Sequence, residues 1–418
     1  MRSSVVWVCL CFSVTLSANA NEPTEPHTSI RFNEPNLRNG SSLAVAVTNS
    51  SLVHTAQILP KPVSIQLDGI DVLQTQTKSC LQELDRVLHE AGSSLSNIVK
   101  LNIYVALDRD VVEIEANLLR QLPKGTRPAV CFVRTSLPRG DVRIALDAVA
   151  VATQSTANVK RWLRQGDVDL NTTKDLITIG RTAAAILPNG PRVYISGQAE
   201  IGDGTLRDAT FRTMLSLKKS LEHLGLQSAD VVQLKAFLRP MSDAATAIEV
   251  ISETFPDSIP PPIVLVEWDS PQAPIEIELI AASRVVAQSA EAPSVEFLTL
   301  PDLKPSPVFA RAVRLNHPTT IYISGLYGST GNPNSAEEVR DLFGTLKRVA
   351  TANGSDMTHL AKATYYVSTD EVSRQLNAIR PESYDPERPP AASKAKISGT
   401  GRAGRTIVLD MIAVPTRP

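Results

Sequence analysis

The sequence predicts an α+β protein made of three tandem copies of one ββαβαββ unit, and three sets of landmarks carry that prediction. The first is Pro274-Ile275-Glu276-Ile277-Glu278-Leu279-Ile280-Ala281, which alternates apolar and acidic residues as a strand with one buried and one polar face does. It recurs in altered form as Ile144-Ala145-Leu146-Asp147-Ala148-Val149-Ala150 and as Ile407-Val408-Leu409-Asp410-Met411-Ile412-Ala413 (275 − 144 = 131, 407 − 275 = 132). The second is a helix-stopping glycine at Gly92, Gly225 and Gly354 (225 − 92 = 133, 354 − 225 = 129). The third is an aromatic residue near the end of the following strand, Tyr104, Phe237 and Tyr366, at the same two spacings. A period this long marks whole domains in tandem, not a solenoid.

Composition agrees with a multi-domain globular chain. A length of 418 residues suggests roughly two to three domains. Apolar content of 43% and charged content of 20% are ordinary. A net charge of −1 gives no reason to expect a nucleic-acid or anionic-membrane partner. Past the N-terminus no run is apolar for long enough to span a bilayer.

At the N-terminus, Arg2 precedes an uncharged, mostly apolar run from Val5 to Leu16, followed by Ala18-Asn19-Ala20 and a polar Asn21-Glu22-Pro23. This is the pattern of a secretory signal peptide over residues 1–20, cleaved after Ala20, so a secreted or periplasmic chain is expected. An uncleaved anchor is the alternative, disfavoured by the short apolar run. Cys9 and Cys11 would leave with the signal. Cys80 and Cys131 remain, either as a disulfide of an exported protein or as two buried free thiols.

In the first copy (residues 40–153), Ser42–Asn49 and Leu52–Leu59 read as a strand pair around Asn49-Ser50. Thr77, Cys80, Leu81, Leu84, Val87 and Leu88 fall on one helical face. A strand over Ile98–Ala106, a helix over Val111–Leu122, and strands over Ala129–Val133 and Val142–Val151 complete it. After a linker (about 153–173), the second copy (174–286) repeats this. Strands over Leu176–Leu187 and Arg192–Ser196 flank Pro188-Asn189-Gly190, and Phe211, Met214, Leu215, Leu221 and Leu224 line a helix. Strand Val231–Leu238, helix Asp243–Phe255 and strands Ile263–Trp268 and Ile275–Ala282 follow. A second linker (about 288–307) leads to the third copy (307–416), with strands over Phe309–Leu315 and Thr320–Ser324. Ser335-Ala336-Glu337-Glu338 reads as a capping box opening a helix with Val339, Leu342, Phe343, Leu346 and Val349 on its apolar face. Strand Leu360–Val367, helix Asp370–Ile379 and strands Ala392–Ile397 and Thr406–Val414 end the chain. Helices of such a unit can pack on one face of its sheet, so the other face needs a cover, which the copies can provide for each other.

Element order and residues together resemble the RidA/YjgF family, also called the L-PSP endoribonuclease family. Tyr194-Ile195-Ser196-Gly197-Gln198 resembles the family's I-T-S-G-Q, Ala229–Leu238 its G-D-I-V-K-T-T-V-F-V, and Ile275–Ala281 its I-E-I-E-A-I-A. The first and third copies match more loosely, through Asn97-Ile98-Val99-Lys100 and Tyr322-Ile323-Ser324-Gly325. The resemblance implies three RidA-like, chorismate-mutase-like domains. Family members are usually homotrimers with ligand sites between subunits, so it also implies a single-chain pseudo-trimer: a monomer acting as an intramolecular trimer, with a small-molecule ligand in an inter-domain cleft and no cofactor. The alternative is three beads that assemble with other chains.

The resemblance also implies imine or enamine hydrolysis, in which an arginine holds the substrate carboxylate and a glutamate orients the water. The arginine position falls on Ala129, Pro262 and Ala392, none of them cationic. The glutamate position falls on Ala145, Glu276 and Val408, so Glu276 is the candidate catalytic residue, unless it only lines the wet face of an edge strand. The helix asparagine falls on Glu115, Ile248 and Asn377, and the strand cysteine on Cys131, Val264 and Lys394. Candidate ligand-binding residues are Ser196, Gly197, Gln198, Ser324, Gly325, Asn377 and the substitute cations Lys394 and Arg127, which are otherwise solvated surface charges. Asp147, Glu278 and Asp410 fill one acidic position in every copy, a pattern that reads as structural. The six histidines show no metal-ligand spacing, so no metal is expected. A catalytically inactive ligand-binding or scaffold protein of the same fold is the second reading. Ribonuclease activity rests on the family name, and the absence of a basic stripe disfavours it.

Overall fold

A computed structural model describes residues 29–36, 38–62, 69–164, 177–270, 272–283, 292–301, 304, 306–328 and 331–417. The segment 1–20, expected to be a signal peptide, and parts of both linkers lie outside the described residues. Unit one comprises β1 (Ile30–Asn36), β2 (Ser41–Thr48), β3 (Leu52–Thr55), α1 (Gly69–Glu90), β4 (Ile98–Val105), α2 (Val111–Gln121), β5 (Ala129–Arg134) and β6 (Ile144–Val151). Unit two comprises β7 (Lys160–Leu163), β8 (Thr182–Leu187), β9 (Arg192–Gln198), α3 (Leu206–His223), β10 (Val231–Leu238), α4 (Ala244–Glu253), β11 (Ile263–Glu267) and β12 (Ile275–Ala282). Unit three comprises β13 (Val295–Leu298), β14 (Ala312–Leu315), β15 (Thr319–Tyr327), α5 (Ala336–Ala352), β16 (Leu360–Val367), α6 (Asp370–Ser383), β17 (Ala391–Lys396) and β18 (Ile407–Ala413).

The helices form where the apolar period and the caps agree. Thr205, Ser335 and Thr369 each accept a hydrogen bond from a backbone amide of the first turn of α3, α5 and α6. The capping box at Ser335 is only half formed. Glu338 is fully buried, and its carboxylate accepts from the amides of Asn334 and Thr406 instead of turning back to its own cap. In α3 the buried face runs through Ala209, Thr210, Thr213, Met214, Leu217, Ser220 and Leu221, so Phe211 and Leu215 face outward at 44% and 41% exposure. Small and hydroxylated residues take the inner face, and the apolar pattern alone therefore rotates this helix wrongly. Cys80 and Cys131 are both buried free thiols, in different core clusters, so they form no disulfide.

Two features depart from the expected unit. Each unit carries an additional strand, β1, β7 or β13, which pairs antiparallel with the strand that follows it. Each is short or begins in polar surroundings: β1 lies at the end of the polar leader, and β7 and β13 lie in segments that read as linkers. The second departure is pairing. The expected strand pairs are not formed within the copies. Strand β2 pairs with β15 (Thr48↔Thr319 to Ala44↔Ile323), β8 with β3 (Leu187↔Leu52 to Ala184↔Thr55), and β14 with β9 (Leu315↔Arg192 to Ala312↔Ile195). Unit one thus lends its first long strand to unit three, unit two to unit one, and unit three to unit two. The additional strands cover the remaining edge of each lent strand, which blocks open-ended pairing.

Each unit packs its helices on one sheet face. The opposite faces meet in clusters that mix units, such as Val45, Val99, Val232 and Tyr322. We expect the segment 177–283, produced alone, to be unfolded or self-associated by circular dichroism and light scattering, because β3 and β14 are missing from its strand edges. A folded monomer of that segment would contradict the exchanged pairing.

Candidate functional site

The three interfaces between units start from the same strand geometry and end with different chemistry. At the interface of units two and three, Ser196 Oγ accepts from the Ala392 amide at 2.8 Å and donates to the Ala310 carbonyl at 2.6 Å. The Gly197 amide donates to Ser393 Oγ at 3.2 Å, and Ser393 also hydrogen-bonds Glu276. Gly197 is required by this approach: a Cβ there would lie 1.9 Å from Glu276 Oε1. Burial, then the neighbouring Glu278, push the Glu276 carboxyl up to about 7, against the pull of Ser393, Lys362 and Lys394.

One cation of unit three, Lys394, stands beside this carboxyl, and a second, Arg380, acts on Lys394. Lys394 Nζ donates to Ser373 Oγ and Asn377 Oδ1, both at 3.0 Å. Burial and the charge of Arg380 push Lys394 down, and Glu276 pulls it back. Arg380 is 8% exposed, stacks over the Tyr365 ring at 5.4 Å, and makes no ion pair among the described residues. Its Nε is buried without a partner. The arrangement is a carboxyl poised near neutrality beside Lys394, with Arg380 acting on that lysine.

At the interface of units three and one, Ser324 Oγ makes the same stitch, donating to the Ser42 carbonyl at 2.6 Å and accepting from the Val130 amide at 2.7 Å. Gly325 there faces Cys131 and Val408, with no carboxylate. A cavity of about 320 Å³ opens here, and its one arginine, Arg402, is paired with Glu115, which Asn39 also holds. At the interface of units one and two, the Gln57 amide donates to the Ile263 carbonyl at 3.0 Å and Gln57 Nε2 to the Leu265 carbonyl at 3.1 Å. Ala145, Ile248 and Val264 pack around it in one apolar cluster. That interface is a filled core.

The candidate residues therefore separate. Glu276, Ser196, Gly197, Lys394 and Asn377 come together at one interface. Gln198 turns toward its own helix and donates to Ser220 Oγ at 2.7 Å. Ser324 and Gly325 line the second cavity, whereas Arg127 bonds the Thr126 carbonyl and is not part of that lining. Sequence reasoning missed Arg380 and Arg402. Arg402 sits in the glycine-rich loop Gly399–Gly404, a mild signal for backbone that approaches a site closely, and Arg380 sits on a helix with no local signal at all.

The shared acidic position explains itself at the centre. Lys100 Nζ of unit one reaches Asp410 of unit three at 2.6 Å, and Lys362 Nζ of unit three reaches Glu278 of unit two at 2.5 Å. The third link differs, because unit two has Gln233 where the others have lysine. Asp147 accepts instead from Tyr104 Oη at 2.6 Å and Asn102 Nδ2 at 3.0 Å. A β-bulge precedes Lys100, Gln233 and Lys362 alike and turns these side chains to the centre.

Comparison with known proteins bears on what these interfaces are for. A family model described as Endoribonuclease L-PSP matches residues 37–152 and 172–283. The chain is similar to the mitochondrial protein mmf1 of Schizosaccharomyces pombe, 29% identical over 126 residues, covering 30% of this chain and 76% of that protein. It is also similar to the RutC family protein slr0709 of Synechocystis, 29% identical over 103 residues, covering 25% and 79%. Among solved structures it is similar to NMB1025 of Neisseria meningitidis, a member of the YjgF protein family, at 25% identity and a TM-score of 0.23, covering 31% of this chain and 99% of that one.

Proposed function

The chain belongs to the L-PSP endoribonuclease (RidA/YjgF) family, and from that premise we propose that it binds a small anionic metabolite between units two and three and hydrolyses an imine or enamine there. The observation that supports this is the Glu276 carboxyl, raised to about 7 beside Lys394, on which Arg380 also acts. A general acid–base is most effective when its pKa lies near the working pH. Lys394 and Arg380 hold the substrate carboxylate in place of the arginine lost at Ala392. Water adds to the imine carbon, and Glu276 takes its proton. Glu276 then returns that proton to nitrogen, and the carbinolamine collapses to a carbonyl compound and ammonia, with nothing oxidised or reduced.

Two further expectations belong to this reading. The three units act as a single-chain counterpart of a trimer, so the protein should be a monomer by light scattering. The protein is exported, so mass spectrometry of the native protein should find Asn21 at its N-terminus.

The test is ammonia release from a freshly generated 2-imino acid. Glu276→Gln should lower kcat by roughly 10²–10⁴, and Lys394→Ala should mainly raise KM. Because the working base is the carboxylate, kcat should rise with pH through about 7. Stability should move the other way. A carboxyl whose folded pKa exceeds its unfolded value favours the fold at low pH, and that contribution is lost as pH rises from the usual carboxyl range to about 7. Glu276→Gln should therefore raise the melting temperature at pH 8 and leave it unchanged at pH 4. A second reading, ligand binding without turnover, is favoured by the replacement of the family arginine by Ala392. Carboxylate binding that Lys394→Ala abolishes, with no ammonia release, would select it.

A further inference from the structure

The middle of the molecule carries one charge too many. A cavity of about 60 Å³ lies where the three units meet, lined by residues of all of them: Lys100 and Asp147, Lys235 and Glu278, Lys362 and Asp410. These are three ammonium groups and three carboxylates. Two of the lysines are paired at 2.6 and 2.5 Å, but Lys235 reaches only Tyr366 Oη, at 3.4 Å. The fourth cation is Arg192, which opens β9 and points to the same sheet face as Tyr194. Arg192 is 3% exposed, makes no ion pair among the described residues, and has a buried Nε without a partner. Among the described residues its side chain has one polar contact, a long one from Nη2 to the His317 carbonyl at 3.4 Å. An arginine stays protonated under all ordinary conditions, and a buried, uncompensated cation is strongly unfavourable.

Arg192 is not part of the cavity lining, but its charge acts on His54 and Tyr322, which are. His54 and Tyr322 line the cavity at 1% exposure each, and His54 Nδ1, His54 Nε2 and Tyr322 Oη find no hydrogen-bond partner. Tyr194 Oη and Thr320 Oγ1 are buried and unpartnered as well. Burial, then the field of Arg192, push His54 down to about 3 against the opposing pull of the nearby Gln233 side chain, which keeps it neutral and able to donate one N–H. Buried polar atoms left open in such number, around a space, mark a place where something polar sits.

We propose that this central cavity binds one small monovalent inorganic anion of chloride type, which neutralises Arg192 and accepts hydrogen bonds from His54, Tyr322 and Lys235. The charges then balance, four cations against three carboxylates and one anion. The volume suits the ligand: about 60 Å³ is several times the roughly 10–15 Å³ of such space that one water needs, enough for a halide. The site is separate from the cleft at Glu276 and independent of any turnover there. It exists only because three different units meet, so the anion acts as a bolt between them.

Bromide is the probe. In crystals of the intact protein grown with bromide, an anomalous peak is expected in the cavity, within hydrogen-bond reach of Tyr322 Oη or His54. In solution, the melting temperature at constant ionic strength should rise saturably by about 2–4 °C as gluconate is replaced by chloride. In Arg192→Met that dependence should vanish, while the melting temperature in gluconate stays at or above that of the wild type, because a buried unpaired charge has been removed. A merely structural arginine would lower both values equally. If the variant fails to fold, the bromide peak in the wild type decides. No peak in the cavity, or equal melting temperatures in the two salts, overturns the proposal.

Discussion

Replacing Lys362 with methionine should destabilise the protein by about 3–5 kcal/mol, read as a lower denaturant midpoint. Lys362 and Glu278 are each only 7% exposed, and Lys362 Nζ also donates to Thr364 Oγ1 at 3.1 Å. Removing the ammonium leaves the Glu278 carboxylate buried between units without its hydrogen-bonded ion-pair partner. The attraction within the intact pair is not the source of this large number, since desolvation offsets most of it. The double variant Lys362→Met/Glu278→Leu should therefore recover most of the loss. The exposed pair Arg374–Glu371 is the control, where Arg374→Met should change stability by about 0–1 kcal/mol. A Lys362 variant as mild as that control would mean water reaches the central ring.

Gly197→Ala should lower turnover at least about 10²-fold and destabilise by about 1–3 kcal/mol. The added methyl would fall 1.9 Å from Glu276 Oε1, 2.4 Å from Cδ and 2.6 Å from Cγ, so the whole carboxyl arm has to move and not just its tip. The displaced Glu276 loses Ser393 and its place beside Lys394. Gly344 in α5 has nothing near its Cβ direction, and Gly344→Ala should stabilise by about 0.5–1 kcal/mol with unchanged turnover. Full activity in Gly197→Ala would remove Glu276 from the chemistry.

The sequence alone determined the local elements and the repetition. Helix and strand periods are set by neighbours a few residues apart, so the stripe Val339, Leu342, Phe343, Leu346 and Val349 and the recurrent alternating strand were legible without a fold. The acidic position shared by Asp147, Glu278 and Asp410 was also visible, and its structural reading agrees with the lysine pairs that two of the three make. Pairing was not legible. Strand β8, Thr182–Leu187, is buried along its whole length and looks the same whether it pairs with β9 of its own unit or with β3 of the unit before it. Only the competition of strands from three units for the same edges decides between them. The site was half legible for the same reason. Family positions led to Glu276, Gly197 and Lys394, but Arg380 joins them from a helix face, and no local pattern distinguishes it from a surface charge. The surplus charge of Arg192 is invisible until distant strands meet, because burial and the absence of a partner are properties of the assembled core and not of any stretch of chain.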